Sequence, residues 1–170
     1  ENNGVGLNQK LYISGNDLFL SYNNSKLNPL TNINHDIILP LETFAVSLNL
    51  NNNVFEKFSL TTGILKEKES FLLSESSGAF GFENENITNF YGINFTKNFN
   101  KNKNLSFNNT FGFSNFKNNN NNFVLGSTDV MSTSFEIDYE INNFFGNDKF
   151  NLTFSQPNRV EKGEMKFRLI

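Results

Sequence analysis

The chain has a single histidine, so any hydrolytic chemistry of the Ser-His-Asp kind would have to run through it. His35 sits in "LTNINHDIIL" with Asp36 beside it. A triad needs a nucleophile, a base and an orienting carboxylate brought together, and adjacent residues cannot form one by themselves. The serine pair of "SSG", Ser76 to Gly78, lacks the Gly-x-Ser-x-Gly frame of an exposed nucleophile and reads as a turn. His35 reads as a loop residue, and no catalytic site is expected. The absence of cysteine removes thiolate metal sites and Cys nucleophiles, and the loop Asp and Asn residues never fall into the register of a Ca²⁺ loop. No metal and no cofactor are expected.

The charges with a regular spacing are of another kind. In "FEIDYEI", Glu136, Asp138 and Glu140 alternate with Phe135, Ile137, Tyr139 and Ile141, a period of two that belongs to a β-strand with one wet face. "FAVSLNL" (from Phe44), "FSLTTGIL" (from Phe58), "YGINFTKNF" (from Tyr91) and "LSFNNTFGF" (from Leu105) alternate in the same way. With Val5 to Ile13, Asp17 to Tyr22, Lys149 to Gln156 and Glu164 to Ile170, about nine strands are expected.

Composition bounds what those strands can build. Phenylalanine supplies the apolar material, with 21 Phe against 4 Tyr and no Trp in 170 residues, and about a fifth of the chain is Asn. Asn runs and the several glycosylation-like triplets they generate carry little information. A formal charge of −3, from 14 basic and 17 acidic residues, offers no basic face for phosphates, so nucleic acid is not an expected partner. No stretch reaches the ~20 apolar residues of a spanning helix, and "ENNGVGLNQK" is neither an initiator Met start nor a signal segment, so the chain reads as a mature or internal piece.

The expected connections alternate in length. Ser14 to Asn16, "NNNVFEK", "NKNKN" and "NNFFGND" are short, whereas Asn23 to Glu42, Glu67 to Thr88 and Phe116 to Asp129 are long. Tight turns on one side of a meander and long loops on the other are the habit of outer-membrane β-barrels. The faces follow: carboxylates are expensive against lipid, so Glu136, Asp138 and Glu140 are expected to face a polar lumen, as are Lys166 and Arg168 from the last strand, with Asn151, Thr153 and Ser155 between them. Phe44, Leu48, Phe58, Leu60, Ile93, Phe95, Phe107, Phe111, Phe135, Ile137, Phe150, Leu152 and Phe154 are expected on the convex, lipid-facing side. Ser59, Thr61, Asn94 and Thr110 join the concave set. Asn109 breaks the pattern by falling on the apolar face.

The C-terminal stretch "FNLTFSQPNRVEKGEMKFRLI" resembles a pattern of strand, Ser-Gln-Pro-Leu-Arg-Val, polar turn with Gly, and strand found in the C-terminal β-domain of subtilisin-like serine-protease autotransporters and related proteobacterial surface proteins. Ser155, Gln156, Pro157, Arg159, Val160 and Gly163 match it, and Asn158 departs where Leu is usual. "FLLSESSGAFGF" is similar to the Ser/Gly-rich loop of those domains, and "STSFEIDYE" sits where their Ser-rich strand would. The resemblance covers Phe44 to Ile170. It implies a twelve-strand barrel in the bacterial outer membrane that delivers or anchors an N-terminal passenger, with membrane lipid, the barrel-assembly machinery and the linked passenger as partners.

The expectation is thus an all-β, antiparallel up-and-down meander of about eight to ten strands, forming residues 1–170 of a transmembrane barrel or an incomplete part of one. Nine strands and an end in mid-alternation at Ile170 suggest a fragment with an unpaired edge. The competing expectation is a soluble secreted β-sandwich or adhesin-like binding module, in which the Phe faces would pack on each other.

Overall fold

The computed structural model describes residues 4–27, 39–50, 54–68, 70–72, 74–75, 82, 84–118, 123–146 and 148–168. Their secondary structure is entirely β: β1 (Gly4–Ile13), β2 (Asn16–Leu27), β3 (Leu39–Asn49), β4 (Lys57–Lys68), β5 (Ser70–Phe71), β6 (Ser74–Glu75), β7 (Glu85–Asn100), β8 (Lys103–Lys117), β9 (Val124–Asn142) and β10 (Lys149–Phe167). Eight of these form one sheet in the order β1-β2-β3-β4-β7-β8-β9-β10, and every pairing is antiparallel between neighbours in that order. The meander expected from the period-two pattern is therefore the fold. β1 and β10 are the outermost strands of the sheet, and β5 and β6 form a separate two-stranded hairpin in the connection between β4 and β7.

Local chemistry sets the connections. Ser14 and Gly15 adopt positive φ of 50° and 84°, the mirror-image turn geometry that matches strand twist and favours Gly at its second position. β7 and β8 are joined through Lys101 and Asn102, with the Asn100 side-chain oxygen accepting from the Asn102 N–H at 2.9 Å. The expected long stretch from Phe116 to Asp129 is mostly strand instead, because β8 runs to Lys117 and β9 starts at Val124.

Two strand expectations need correcting. The expected strands Lys149 to Gln156 and Glu164 to Ile170 are not separate and joined at a Pro-containing corner: Lys149 to Phe167 form β10, a single strand of 19 residues. Its ladder to β9 shifts register between Gln156 and Arg159, between Val160 and Lys162, and between Lys162 and Glu164. Such bulges absorb extra residues without ending the strand, and Pro157, lacking an N–H, is tolerated on an outermost strand at a bulge. The main sheet thus has eight strands. β7 to β10, at 15 to 19 residues, also exceed the ~9–11 needed to cross a bilayer at a tilt.

Among the described residues no second sheet lies over the main sheet, yet one of its faces holds most of its buried positions. Gly63, Gly92, Gly112, Ser132 and Ala45 on that face are buried, whereas the opposite face carries most of the exposed large apolar side chains. A flat single sheet would expose both faces alike, so the buried face is the concave one. Near the C-terminal end of β8 the concave side also holds a small apolar core of Phe71, Phe116, Val124 and Val130, flanked by Leu72, Phe82 and Phe123.

Candidate functional site

The register assigns each side chain to a face. One row runs through Leu11, Leu18, Leu48, Leu60, Ile93, Asn109, Phe135 and Gln156, crossing all eight strands. The next links Phe58, Phe95, Phe107, Ile137 and Phe154, and another Leu7, Tyr22, Phe44 and Ile64. These rows share the convex face, and all thirteen residues expected there are on it. Six of them are exposed, Phe154 by 65%, Leu152 by 59% and Phe44 by 48% among them, and the other seven are half-buried. Aromatic pairs such as Phe95 with Phe107, at 5.1 Å, and Phe135 with Phe154, at 5.6 Å, pave this surface. Asn109 is accommodated because its amide donates to the Ser134 carbonyl at 3.1 Å.

The concave face is small and polar. Its rows read Asp17, Asn49, Ser59, Asn94, Asn108, Glu136 and Ser155, and beside it Ser47, Thr61, Gly92, Thr110 and Ser134. Neighbouring strands hydrogen-bond across it, Ser47 with Thr61 at 2.8 Å, Thr88 with Ser114 at 2.6 Å, and Asn94 donating to Ser59 at 3.3 Å. The carboxylates are held within this surface: Glu140 takes the Lys149 ammonium at 2.6 Å, and Asp138 accepts from the Thr153 hydroxyl at 2.5 Å. Asn104, Ser106 and Asn108 of β8 lie opposite Glu140, Asp138 and Glu136. Phe90 is an aromatic on this side, and its ring fills the space of the missing side chain at Gly63, where a Cβ would come within 2.5 Å of it.

Lys166 and Arg168 do not join the concave carboxylates. Along the one continuous β10 Lys166 has the parity of Phe154, because the register shifts between them cancel: Met165, like Ser155, lies on the concave side, opposite Ser127, while Lys166 pairs with Gly126, which also faces Lys117. Lys166 lines a cleft with Ile87 and Asn115, residues of the convex face. Arg168 lies past β10, its backbone N–H donating to the Phe123 carbonyl at 2.9 Å. The lysine that meets the acidic row is Lys149.

The other residues singled out by the motif are split between faces. Ser155 lies opposite Glu136 and Val160 opposite Ser132, on the concave side. Gln156 and Arg159 lie on the convex side, where Arg159 forks onto Glu161 at 3.0 and 2.8 Å, Thr133 donates to Glu161 at 2.7 Å, and Gln156 donates to Thr133 at 3.2 Å. This cluster lies beyond Phe154, the last apolar residue of β10's convex band. The Arg159 hydrogen bonds hold the Glu161 carboxyl down to about 2. Gly163 packs its backbone against Val130, where a Cβ would meet Cγ2 at 2.8 Å. His35, Asp36 and Ser76 to Gly78 lie outside the described residues.

The apolar band is oblique to the strands. Relative to the row from Leu11 to Gln156, its upper limit is Val5 on β1, six residues beyond Leu11, but Phe154 on β10, two residues short of Gln156. An eight-residue climb of ~26 Å across seven interstrand steps of ~34 Å in all gives about 38°. The lower limits, Ile13 and Phe150, give about 21° by the same reasoning, with a four-residue climb of ~13 Å. Strands in membrane barrels tilt by roughly 35–45°.

No family model, curated protein or solved structure matches the chain.

Proposed function

We propose that this chain is the membrane-embedded sheet of an outer-membrane β-barrel that anchors or delivers an N-terminal passenger at the cell surface. One observation carries the reading: the exposed large apolar side chains lie mostly on the convex face, while the concave face is polar and holds most of the buried positions, the reverse of a water-soluble sheet. Large apolar side chains stand exposed on six of the eight strands, and contiguous apolar surface of that kind marks a contact with lipid or another protein. A sandwich would cover that face with a second sheet, and none lies over it among the described residues. The passenger role rests on the resemblance carried by Ser155, Gln156, Pro157, Arg159, Val160 and Gly163.

The lack of native cysteine makes the test direct. Single cysteines at Leu60, Ile93 and Ile137, and at Thr61, Asn94 and Asp138 for comparison, are introduced into protein refolded in lipid vesicles. A bimane label on the first set is expected to be quenched by brominated lipid, and the second set is expected to react with a water-soluble maleimide. A chain that stays monomeric without detergent, with both sets equally reactive, refutes the membrane reading.

A further inference from the structure

We infer that the convex surface just above the apolar band binds the phosphorylated headgroup of a membrane lipid, through Lys117 and Lys166 placed on either side of Gly126. The inference rests on the membrane reading above and adds a ligand to it. Lys117 pairs with Gly126 and Gly126 with Lys166, so the two lysines share a face at a separation of two strand spacings, ~10 Å. The gap between them is built in. A Cβ at Gly126 would lie 2.6 Å from the Phe116 carbonyl oxygen, and the backbone there has φ of 156°, so the middle position admits no side chain. The result is a cleft of about 700 Å³, whose lining includes Ile87, Leu125 and Ser127.

The charge and depth of the cleft select the ligand. Lys66, Lys68, Lys117, Lys162 and Lys166 are on this face, against Glu42, Glu85 and Glu164, and the Lys66 ammonium is already 3.6 Å from Glu85. Arg159 and Glu161 neutralise each other. The surplus is cationic, as a phosphate monoester requires. Lys117 stands four residues past Phe113, ~13 Å along the strand and ~10 Å in height at a tilt near 40°. The headgroup zone spans the ~5–7 Å outside the hydrocarbon, and long lysine stems reach back into it. Ile87 and Leu125 continue the apolar band into the cleft, which favours an amphiphile over free phosphate.

The test uses the full chain folded in neutral detergent, with phosphatidic acid as the probe and native mass spectrometry as the readout. Wild type and the control K101Q/K103Q, altered at the opposite rim, are expected to hold the lipid equally. K117Q/K166Q is expected to bind about thirtyfold more weakly, from two near-surface cations. Equal binding by all three proteins, or displacement of the lipid by millimolar inorganic phosphate, overturns the site. Insertion into phosphatidylcholine vesicles, read by heat-modifiable gel migration, is scored separately. Insertion with equal lipid binding sinks the site alone, and failure to insert sinks the membrane reading and the site together.

Discussion

Replacing Leu60 by Lys probes the convex face at its centre. Leu60 pairs with Leu48 and Ile93 in the row that crosses the whole sheet, and it is 40% exposed. At such a position on a soluble sheet the change would fall within roughly ±0.5 kcal/mol, as surface substitutions do. In a bilayer the same lysine is placed near the midplane, where it costs ~2–4 kcal/mol. That corresponds to about a thirty- to eight-hundred-fold loss in the folding equilibrium. Two comparisons remove the ambiguity of a single variant. Phe44→Lys lies at the upper limit of the band, next to the Glu42 and Lys66 row, where the cost falls to ~0–1 kcal/mol beyond the loss of the ring. Asn151→Lys places the same charge on the concave side opposite Glu140, where it should be neutral or mildly favourable. The assay is reversible urea unfolding from vesicles, followed by tyrosine fluorescence and gel migration. If Leu60→Lys and Asn151→Lys have the same effect, the convex face does not touch lipid.

Gly63→Ala should destabilise by ~1–3 kcal/mol, because its Cβ would sit 2.4 Å from the Phe44 carbonyl oxygen and 2.5 Å from the Phe90 ring, and Phe90→Ala in the same chain should recover part of the loss in a double-mutant cycle. Asn109→Leu should leave stability unchanged or raise it in vesicles, since it removes an amide from the apolar convex row; a loss above ~1 kcal/mol in urea unfolding would give the Ser134 hydrogen bond a larger structural role. Lowering the pH from 7 to 3 should leave the Arg159–Glu161 pair intact. The depressed Glu161 carboxyl contributes stability above its unfolded value near 4 that is lost only as pH falls through about 2, and a side-chain carbon NMR midpoint near 4 would contradict this.

The division into two faces was legible because alternation is a local property: Phe58, Leu60 and Ile64 share a parity wherever the strand ends fall. Register across strands follows from the same pattern, since a slip by one residue would turn every apolar row inward. Lys166 was misplaced because Glu164 to Ile170 reads as a strand of its own, with its faces set by Met165 and Phe167; counted along one continuous strand from Phe154, Lys166 keeps the convex parity, since the shifts after Gln156 cancel before it. Pro157 was read as a corner for a similar reason. A proline ends an interior strand but not one whose far side lacks a partner, and which strand is outermost is set by the topology. One signal was present and unused. In "TFGFSNFK", Phe111 and Phe113 have one parity and Phe116 the other, and Val124 and Val130 share the parity of Glu136.

That change of parity gives the long strands a physical account. Along β8 the convex side carries Leu105, Phe107, Phe111 and Phe113 and then Asn115 and Lys117, while the concave side carries Asn104, Ser106, Asn108 and Thr110 and then Phe116. β9 repeats the inversion, with Val130 and Val124 entering the concave core beyond Ser132 and Ser134. The same sheet is apolar outside and polar inside along one stretch, then polar outside and apolar inside along the next. No uniform solvent rewards both arrangements, because burying Phe116 and Val124 against Phe71 gains free energy only where water is the alternative. On the membrane reading proposed above, a strand obeying both rules crosses a boundary between two solvents, and that boundary lies between Phe113 and Lys117 on β8. The residues beyond it, in β8, β9 and β10, form a water-facing collar whose core is closed by Phe71 of the β5–β6 hairpin. On this account a polar substitution at Val130 weakens the collar in detergent and in vesicles alike, whereas one at Ile137 acts only where there is lipid to lose.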